Sequence, residues 1–361
     1  MDQLNVHPDI SQAETLPAWF YKNPQMFDLT IEKVFTRTWQ YIGTDELVDL
    51  HESVFPFRLL EHCLNEPLLL VRNKTGSLKL LSNVCTHRAN ILVHHPSSMT
   101  KLICRYHGRR FSLDGRFESM PEFQEAQNFP RPCDHLFQFP LENWEQFLFT
   151  AIQPAFPLSP VIEKIRVLTG FLPLKEFVFE PSLSKEYLVH AHWALYCENY
   201  LEGFHIPYVH KDLNNTLDYG NYTVETDQYF SVQKGYASGK EDTFNFSKNH
   251  PDSGKQVAAY YFWIFPNTMF NFYPWGLSVN IVIPISPERT RVSFLTFVYD
   301  HSKLNKGAGA LLDKVEREDE FVVEGVQRGI QSRVYQTGRY SPKREQGVHH
   351  FHRLLADFIN H

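Results

Sequence analysis

The sequence predicts an α+β chain in two parts: an N-terminal all-β unit, and a larger unit that combines helices with an antiparallel sheet. Three observations carry this. From Trp39 to about Phe149, short strand-like runs (QYIG, SVFPFRLL, PLLLVRN, SLKLLSNVC, KLICRYHGRRFSL) alternate with turn signals such as Asn73-Lys74-Thr75-Gly76 and Asp114-Gly115. From Gln256 to Asp300 come longer runs, QVAAYYFWIF, NTMFNFYPWG, LSVNIVIPI and RVSFLTFVYD, divided by Pro266-Asn267, Pro274 and Pro287-Glu288-Arg289. Around that second set lie segments with helical spacing, Ala191–Phe204 and Lys306–Ser332 foremost. The expected organisation is a helical segment over residues 1–38 packing on the larger unit, the β unit over 39–152, and the larger unit over 153–361.

Composition narrows the function classes. A chain of 361 residues with 43% hydrophobic and 21% charged residues has an ordinary globular balance. Aromatics reach 15%, with 30 Phe and 17 Tyr, which points to aromatic-lined cores or pockets. A net charge of −6 gives no electrostatic footprint for nucleic acid or an anionic membrane. The opening stretch MDQLNVHPDISQAE has no basic or apolar leader region, and the longest apolar run, Val257–Phe265, is too short to span a bilayer. Five irregularly spaced cysteines do not form a disulfide framework, so a reducing cytoplasm is the expected compartment.

The elements follow in order. Residues 15–40 read as a turn and a short amphipathic helix, with Asp28 or Thr30 as N-cap. Within the β unit, Cys85-Thr86-His87 is followed after sixteen residues by Cys104-Arg105-Tyr106-His107. Two thiolates and two imidazoles suit tetrahedral zinc, but C-x-H followed by C-x-x-H-G is not zinc-finger spacing. It is the pattern of a Rieske [2Fe–2S] centre, with Cys85 and Cys104 on one iron and His87 and His107 on the other. Cys63, Cys133 and Cys197 have no partner at ligand spacing and read as buried small hydrophobes, and His94-His95 read as surface residues. Arg88, Arg105, Arg109 and Arg110 cluster beside the ligands, as a solvated basic face or as groups that screen the cluster or dock a redox partner.

Leu158–Leu183 reads as proline-punctuated strands (RVLTGFLPL, EFVFEPS). The helix over Ala191–Phe204, with Trp193, Tyr196, Tyr200, Leu201 and Phe204 on apolar faces, leads into ENYLEGFHIPYVH. That stretch offers Asn199, Glu202, His205 and His210, and two histidines plus a carboxylate with open positions is the arrangement of non-haem Fe(II) oxygenases. Residues five apart on a regular helix point about 140° apart, so the imidazoles converge only if the helix ends or bends between them, at Pro207. The alternative is a pair of part-exposed histidines at a helix end. Asn214–Pro251 reads as a polar, loop-rich cover.

In the Lys306–Ser332 helix the expected buried stripe is Leu312, Val315, Val322, Val326 and Ile330, with Glu316, Glu320 and Glu324 on a different, polar face. Asp319 falls in the stripe, where a carboxylate is costly unless paired or metal-bound. It is a third metal ligand, a partner for a buried arginine, or part of a subunit surface, and a pair of histidines lacking a third ligand favours the first. The last helix is VHHFHRLLADFI, whose His349, His350 and His352 are assigned to surface or core.

Together, Cys85/His87/Cys104/His107, then N-x-x-E-x-x-H-x(4)-H and a late acid-bearing helix resemble the α subunit of a Rieske non-haem iron oxygenase over nearly the whole chain. The segments FPNTMFNFYPWGLSVNIV, EGVQRGIQS and GVHHFHRLL most resemble the subgroup that oxidises choline, glycine betaine and carnitine. The resemblance implies a Rieske β-sandwich domain, a helix-grip catalytic domain, and a homotrimer in which one subunit's cluster faces the next subunit's iron. It implies mononuclear Fe(II) on His205, His210 and Asp319, O₂ and a small molecule as substrates, and electrons from a separate NAD(P)H-dependent flavin/iron–sulfur reductase. Glu202, where many members have aspartate and some carnitine-type relatives glutamate, would link His205 to a neighbour's cluster histidine. Asn199 joins Glu202 as a candidate catalytic residue. The substrate is a quaternary ammonium compound, caged by aromatics drawn from Trp193, Tyr200, Tyr208, Trp263, Phe272, Tyr273 and Trp275, or an aromatic acid or hydrocarbon. The rival classes are a Rieske electron carrier without oxygenase activity and a ligand-binding sensor.

Overall fold

The computed structural model describes residues 3–361 apart from 217, 240, 241, 305, 307, 308, 310 and 311 and the side chains of 215 and 216. The chain divides into two compact units, Trp39–Phe156 and Met1–Thr38 with Pro157–His361.

The first unit contains strands β1 (Gln40–Thr44), β2 (Ser53–Leu59), β3 (Glu66–Arg72), β4 (Leu78–Ser82), β5 (Ser97–Ser98), β6 (Lys101–Ile103), β7 (Arg110–Ser112), β8 (Phe117–Ser119), β9 (Leu141–Trp144) and β10 (Phe147–Thr150). They form three antiparallel sheets, ordered β4-β3-β2-β5, β6-β7-β8 and β1-β10-β9. β3 is central, and its Leu68–Val71 run is wholly buried, as a strand covered on both faces requires. The core gathers Val54, Leu69, Val71, Leu81, Leu102 and Phe111 with Cys85 and Cys104.

The two cysteines open matching loops. In each, the cysteine amide bonds a carbonyl five residues on (Asn90, Arg109), and an amide four residues on returns to the cysteine carbonyl, at 2.8–3.0 Å. The returning residues, Ala89 and Gly108, sit at φ +54° and +75°, which closes both turns. Arg109 departs from the expected basic face. It is buried, donates to the Asp134 carboxylate at 2.8 Å, and lies 4.8 Å from the Phe117 ring centroid. A planar guanidinium tolerates such a site when paired and stacked. Arg88, Arg105 and Arg110 are exposed. So is Cys133, against expectation, in a short 3₁₀ turn rather than the core.

The second unit begins with α1 (Ala18–Lys22) and α2 (Pro24–Thr30), which runs into a π-helical turn over Ile31–Phe35. Asn23, not Asp28 or Thr30, caps α2: its side chain accepts from the Gln25 amide at 2.9 Å, and Pro24 takes the first helical position. Ser159–Thr169 forms α3 where strands were expected. Pro160 starts it, and Val161, Ile162, Ile165 and Leu168 share one buried face, a helical period hidden by β-branched residues. Then come β11 (Val178–Phe179), β12 (Lys185–Val189), α4 (Trp193–Tyr200), α5 (Ile206–Val209) and α6 (Lys211–Thr216). The stretch read as a loop cover instead holds a hairpin, β13 (Thr223–Asp227) and β14 (Phe230–Tyr236), on the edge of the main sheet; its residues 217, 240 and 241 lie outside the described residues.

The sheet continues through β15 (Val257–Ile264), β16 (Thr268–Tyr273), β17 (Gly276–Ser286) and β18 (Arg289–Val298), with β11 and β12 both paired to β18. All ladders are antiparallel, and β16 is buried throughout. Two helices close the chain, α7 (Leu312–Ile330) and α8 (Gln346–Asn360). The expected start of α7 at residues 307, 308, 310 and 311 lies outside the described residues. Its buried residues are Glu316, Val323, Gln327 and Ile330, about one position round from the expected stripe, with Val326 exposed. α8 packs against α4 and β15 through Phe351, whose ring lies 5.6 Å from Trp193 and 5.3 Å from Trp263. Its Gly347 faces the end of α4 so closely that a methyl there would overlap the Leu201 carbonyl.

Candidate active site

The ends of the two cysteine loops bring four predicted ligands together. The rings of His87 and His107 lie 4.8 Å apart with their Nδ1 atoms 3.2 Å from one another. Cys85 and Cys104 are buried and free, with no disulfide between them. The His87 amide donates to the Cys85 sulfur, and the amides of Tyr106 and His107 donate to that of Cys104. Burial raises the Cys85 thiol; at Cys104 burial also pushes upward, but the Tyr106 and His107 amides and the Cys85 thiol outweigh it and bring it down. Burial, then the charges of His107 and Arg109, holds the His87 imidazole below its usual value. Two cysteine sulfurs that accept backbone N–H bonds, with two imidazoles beside them, are the donor set a Rieske [2Fe–2S] centre needs, and the residues fit one.

In the other unit, α4 ends at Leu201, and a single helical turn, α5, carries His205 at its start and His210 at its end. Pro207 does not break a helix between the histidines. It occupies the first turn of α5, and the chain leaves the helix at His210, with φ −107° and ψ 75°. The rings come within 5.0 Å. α7 brings up Asp319, whose Oδ1 lies 3.0 Å from His210 Nε2 and 3.5 Å from His205 Nε2. One ligand atom from each residue lies within 4.8 Å of the others.

The opposite ring nitrogens meet carboxylates: His205 Nδ1 lies 2.7 Å from Glu202 Oε1, and His210 Nδ1 lies 2.8 Å from Glu318 Oε2. Each carboxylate fixes the proton on Nδ1 and frees the Nε2 lone pair for a metal. Burial draws the His210 pKa down, but Asp319 and Glu318 outweigh it and raise it. Two imidazoles with one carboxylate suit iron(II) with open positions. Asn199 donates to Asp319 Oδ1 at 2.6 Å. Glu202 does a second job: its Oε2 accepts from the amides of Phe204 and His205, at the start of α5.

Asn199, Glu202, His205, His210 and Asp319 line a cavity of about 120 Å³. Of the expected aromatic cage, Tyr200 and Tyr273 line it, joined by Tyr196, Tyr222 and Tyr261. Trp193, Trp263 and Phe272 are buried in the core instead, Trp275 stacks behind Tyr273 at 5.2 Å, and Tyr208 is 76% exposed, as is much of Phe204. Tyr200 donates to Asn271 at 2.6 Å.

Two further acids escaped the sequence reading. Glu316, placed there on the polar face, is buried and lines the cavity; Tyr196 donates to both its oxygens, at 2.6 and 2.7 Å. Burial first, then the charge of Asp319, lifts its pKa well above the carboxylate range. The signal was present, since positions i and i+3 share a helix face, which puts Glu316 beside Asp319. Glu318 gave none, because its partner is distant in sequence.

Among the described residues no helix is long and apolar enough to cross a membrane. The chain matches the Rieske [2Fe–2S] domain over residues 39–130 and the catalytic domain of ring-hydroxylating alpha subunits over residues 179–361, just over half its length. It is 28% identical to the chloroplastic choline monooxygenase of Arabidopsis thaliana, over 96% of this chain and 83% of that one. With the carnitine monooxygenase oxygenase subunit of Escherichia coli K12 it shares 27%, over 96% and 94%. A crystal structure of a quaternary ammonium Rieske monooxygenase in complex with L-carnitine has the same fold, with a TM-score of 0.76, 21% identity and 99% of both chains covered. With matched domains for both iron centres in one polypeptide, the chain belongs to the ring-hydroxylating alpha-subunit family and is a Rieske [2Fe–2S], non-haem iron oxygenase.

Proposed function

We propose that this oxygenase component takes electrons from a separate NAD(P)H-dependent flavin/iron–sulfur reductase and uses O₂ to hydroxylate or N-demethylate a quaternary ammonium compound of the betaine, choline or carnitine kind. One observation carries the reading: His205, His210 and Asp319 converge on a cavity lined by five tyrosines. Aromatic faces attract cations, most strongly where water is excluded. The choline and carnitine monooxygenases it resembles along nearly its whole length support the same substrate class.

Iron(II) on His205, His210 and Asp319, with a [2Fe–2S] cluster on Cys85, Cys104, His87 and His107, would supply oxygen activation and the electrons for it. The chain's own residues do the rest. Glu202 and Glu318 orient the imidazoles, Asn199 fixes the Asp319 carboxylate, and the tyrosines seat the cation and keep water out. In a homotrimer, Glu202 would also reach the partner subunit's His107 and carry electrons across the subunit boundary. A similar quaternary ammonium Rieske monooxygenase is described in terms of inter-subunit electron transfer, which supports that arrangement. Five unpaired cysteines fit action in the cytoplasm.

The test supplies NADH and a surrogate reductase and follows O₂ uptake. Uptake with choline, glycine betaine or carnitine is expected. Uptake with aromatic acids alone would assign the chain to ring hydroxylation. An electron carrier would hold two iron atoms per chain rather than three, and a sensor would show no substrate-dependent uptake.

A further inference from the structure

The cavity holds a carboxyl that the iron site does not need. Glu316 lies one turn before Asp319 on α7, is 5% exposed, and has Tyr196 as its hydrogen-bond donor. Iron(II) would bring two positive charges, and Asp319, Glu202 and Glu318 already set three negative ones around its ligands. Glu316 is therefore surplus to the metal. No lysine or arginine is among the described residues that line the cavity; its other polar walls are neutral, the amides of Gln233, Asn271 and Asn280 and the tyrosine hydroxyls. A buried carboxylate without a cation is costly. A positive charge beside such a carboxyl favours its ionised form and offsets that cost. A substrate carboxylate would instead enter a cavity already in negative surplus.

We infer that Glu316 is a specificity-determining residue that selects a quaternary ammonium cation without a carboxylate, such as a cationic amino alcohol, over zwitterionic betaines and carnitines. This rests on the quaternary ammonium reading above and narrows it.

Binding to the iron-loaded protein is measured by calorimetry for choline, glycine betaine, carnitine and the carbon isostere of choline, in which a quaternary carbon replaces the nitrogen. O₂ uptake is followed in parallel with NADH and a surrogate reductase. Choline is expected to bind at least about tenfold more tightly than either zwitterion and than the neutral isostere. Glu316→Gln, which keeps an acceptor for Tyr196, is expected to weaken choline about tenfold or more and to narrow its lead over the isostere, with three iron atoms per chain and the cluster's visible absorption retained. Zwitterions binding as well as choline, or a folded variant binding choline unchanged, would overturn the inference and leave the quaternary ammonium reading standing. If the variant loses its cluster absorption, the unmutated protein's ranking of the four compounds decides. Uptake with an aromatic acid and with none of these compounds would overturn the broader reading, and this inference with it.

Discussion

Glu318 bonds one proposed metal-ligand histidine through Nδ1 as Glu202 bonds the other, yet only Glu202 is also tied into the backbone of α5. Glu318→Gln is expected to lower iron affinity at His210 by about tenfold to a hundredfold, read by metal titration, with the cluster's absorption unchanged. His192 offers a test away from the metals. Burial among Phe20, Tyr21 and Phe27 lowers its pKa from 6.5 to about 3. Between those values the unfolded chain binds the extra proton, so stability is full above pH 6.5 and declines as pH falls, by at most about 1.4 kcal/mol per pH unit. His192→Asn keeps an acceptor at the N-cap of α4. Denaturant midpoints of that variant should fall less steeply below pH 6.5 than those of the unmutated protein, the remaining slope coming from His349 and His350, whose burial also lowers their pKa values. At this scale the sequence was legible where spacing is informative, as at Cys85/His87 and Cys104/His107. Arg109 and Glu318 were hidden because their partners, Asp134 and His210, lie 25 and 108 residues away.

Elements were legible where one period dominates. The runs over Gln256–Asp300 became β15 to β18 because their aromatic and β-branched residues suit a doubly covered sheet. α3 was misread because Val161, Ile162, Ile165 and Val167 favour strands one by one, whereas only their spacing reveals the helix. α7 was found but turned by about one residue, since hydrophobicity alone draws the eye to Val322 and Val326 while the buried face is half polar, Glu316 and Gln327 included. Polar side chains of the helix have specific partners: Gln327 accepts from the His192 amide and Glu324 from the His190 amide, both at 3.0 Å. The contact between α8 and the end of α4 is equally specific. Gly347→Ala would force a methyl against the Leu201 carbonyl, just before the segment that carries His205. A loss of about 1–3 kcal/mol is expected in denaturant unfolding, with weaker iron retention in the same variant.

At the scale of the whole molecule, the two-part α+β plan was readable because the pattern changes from short strands to mixed elements. The three small sheets of the first unit, and the hairpin that β13 and β14 add to the second unit's sheet, were not, since strand partners are chosen by tertiary packing. If the molecule houses two iron centres, removing one should spare the other. Asp319→Ala is expected to reduce iron from three atoms per chain to two and abolish O₂ uptake, while the cluster's absorption persists. Loss of that absorption as well would make Asp319 a folding residue.

The double engagement of Glu202 bears on how far such a site tolerates change. One oxygen steadies an imidazole while the other anchors the very turn on which that imidazole rides. Shortening this acid to aspartate removes a methylene from a tether stretched between both, so grip on the ligand and shape of the turn fail as one. Any drop in electron throughput measured in that variant would arrive with a loosened metal, and the two defects could be parted only by restoring the turn from elsewhere.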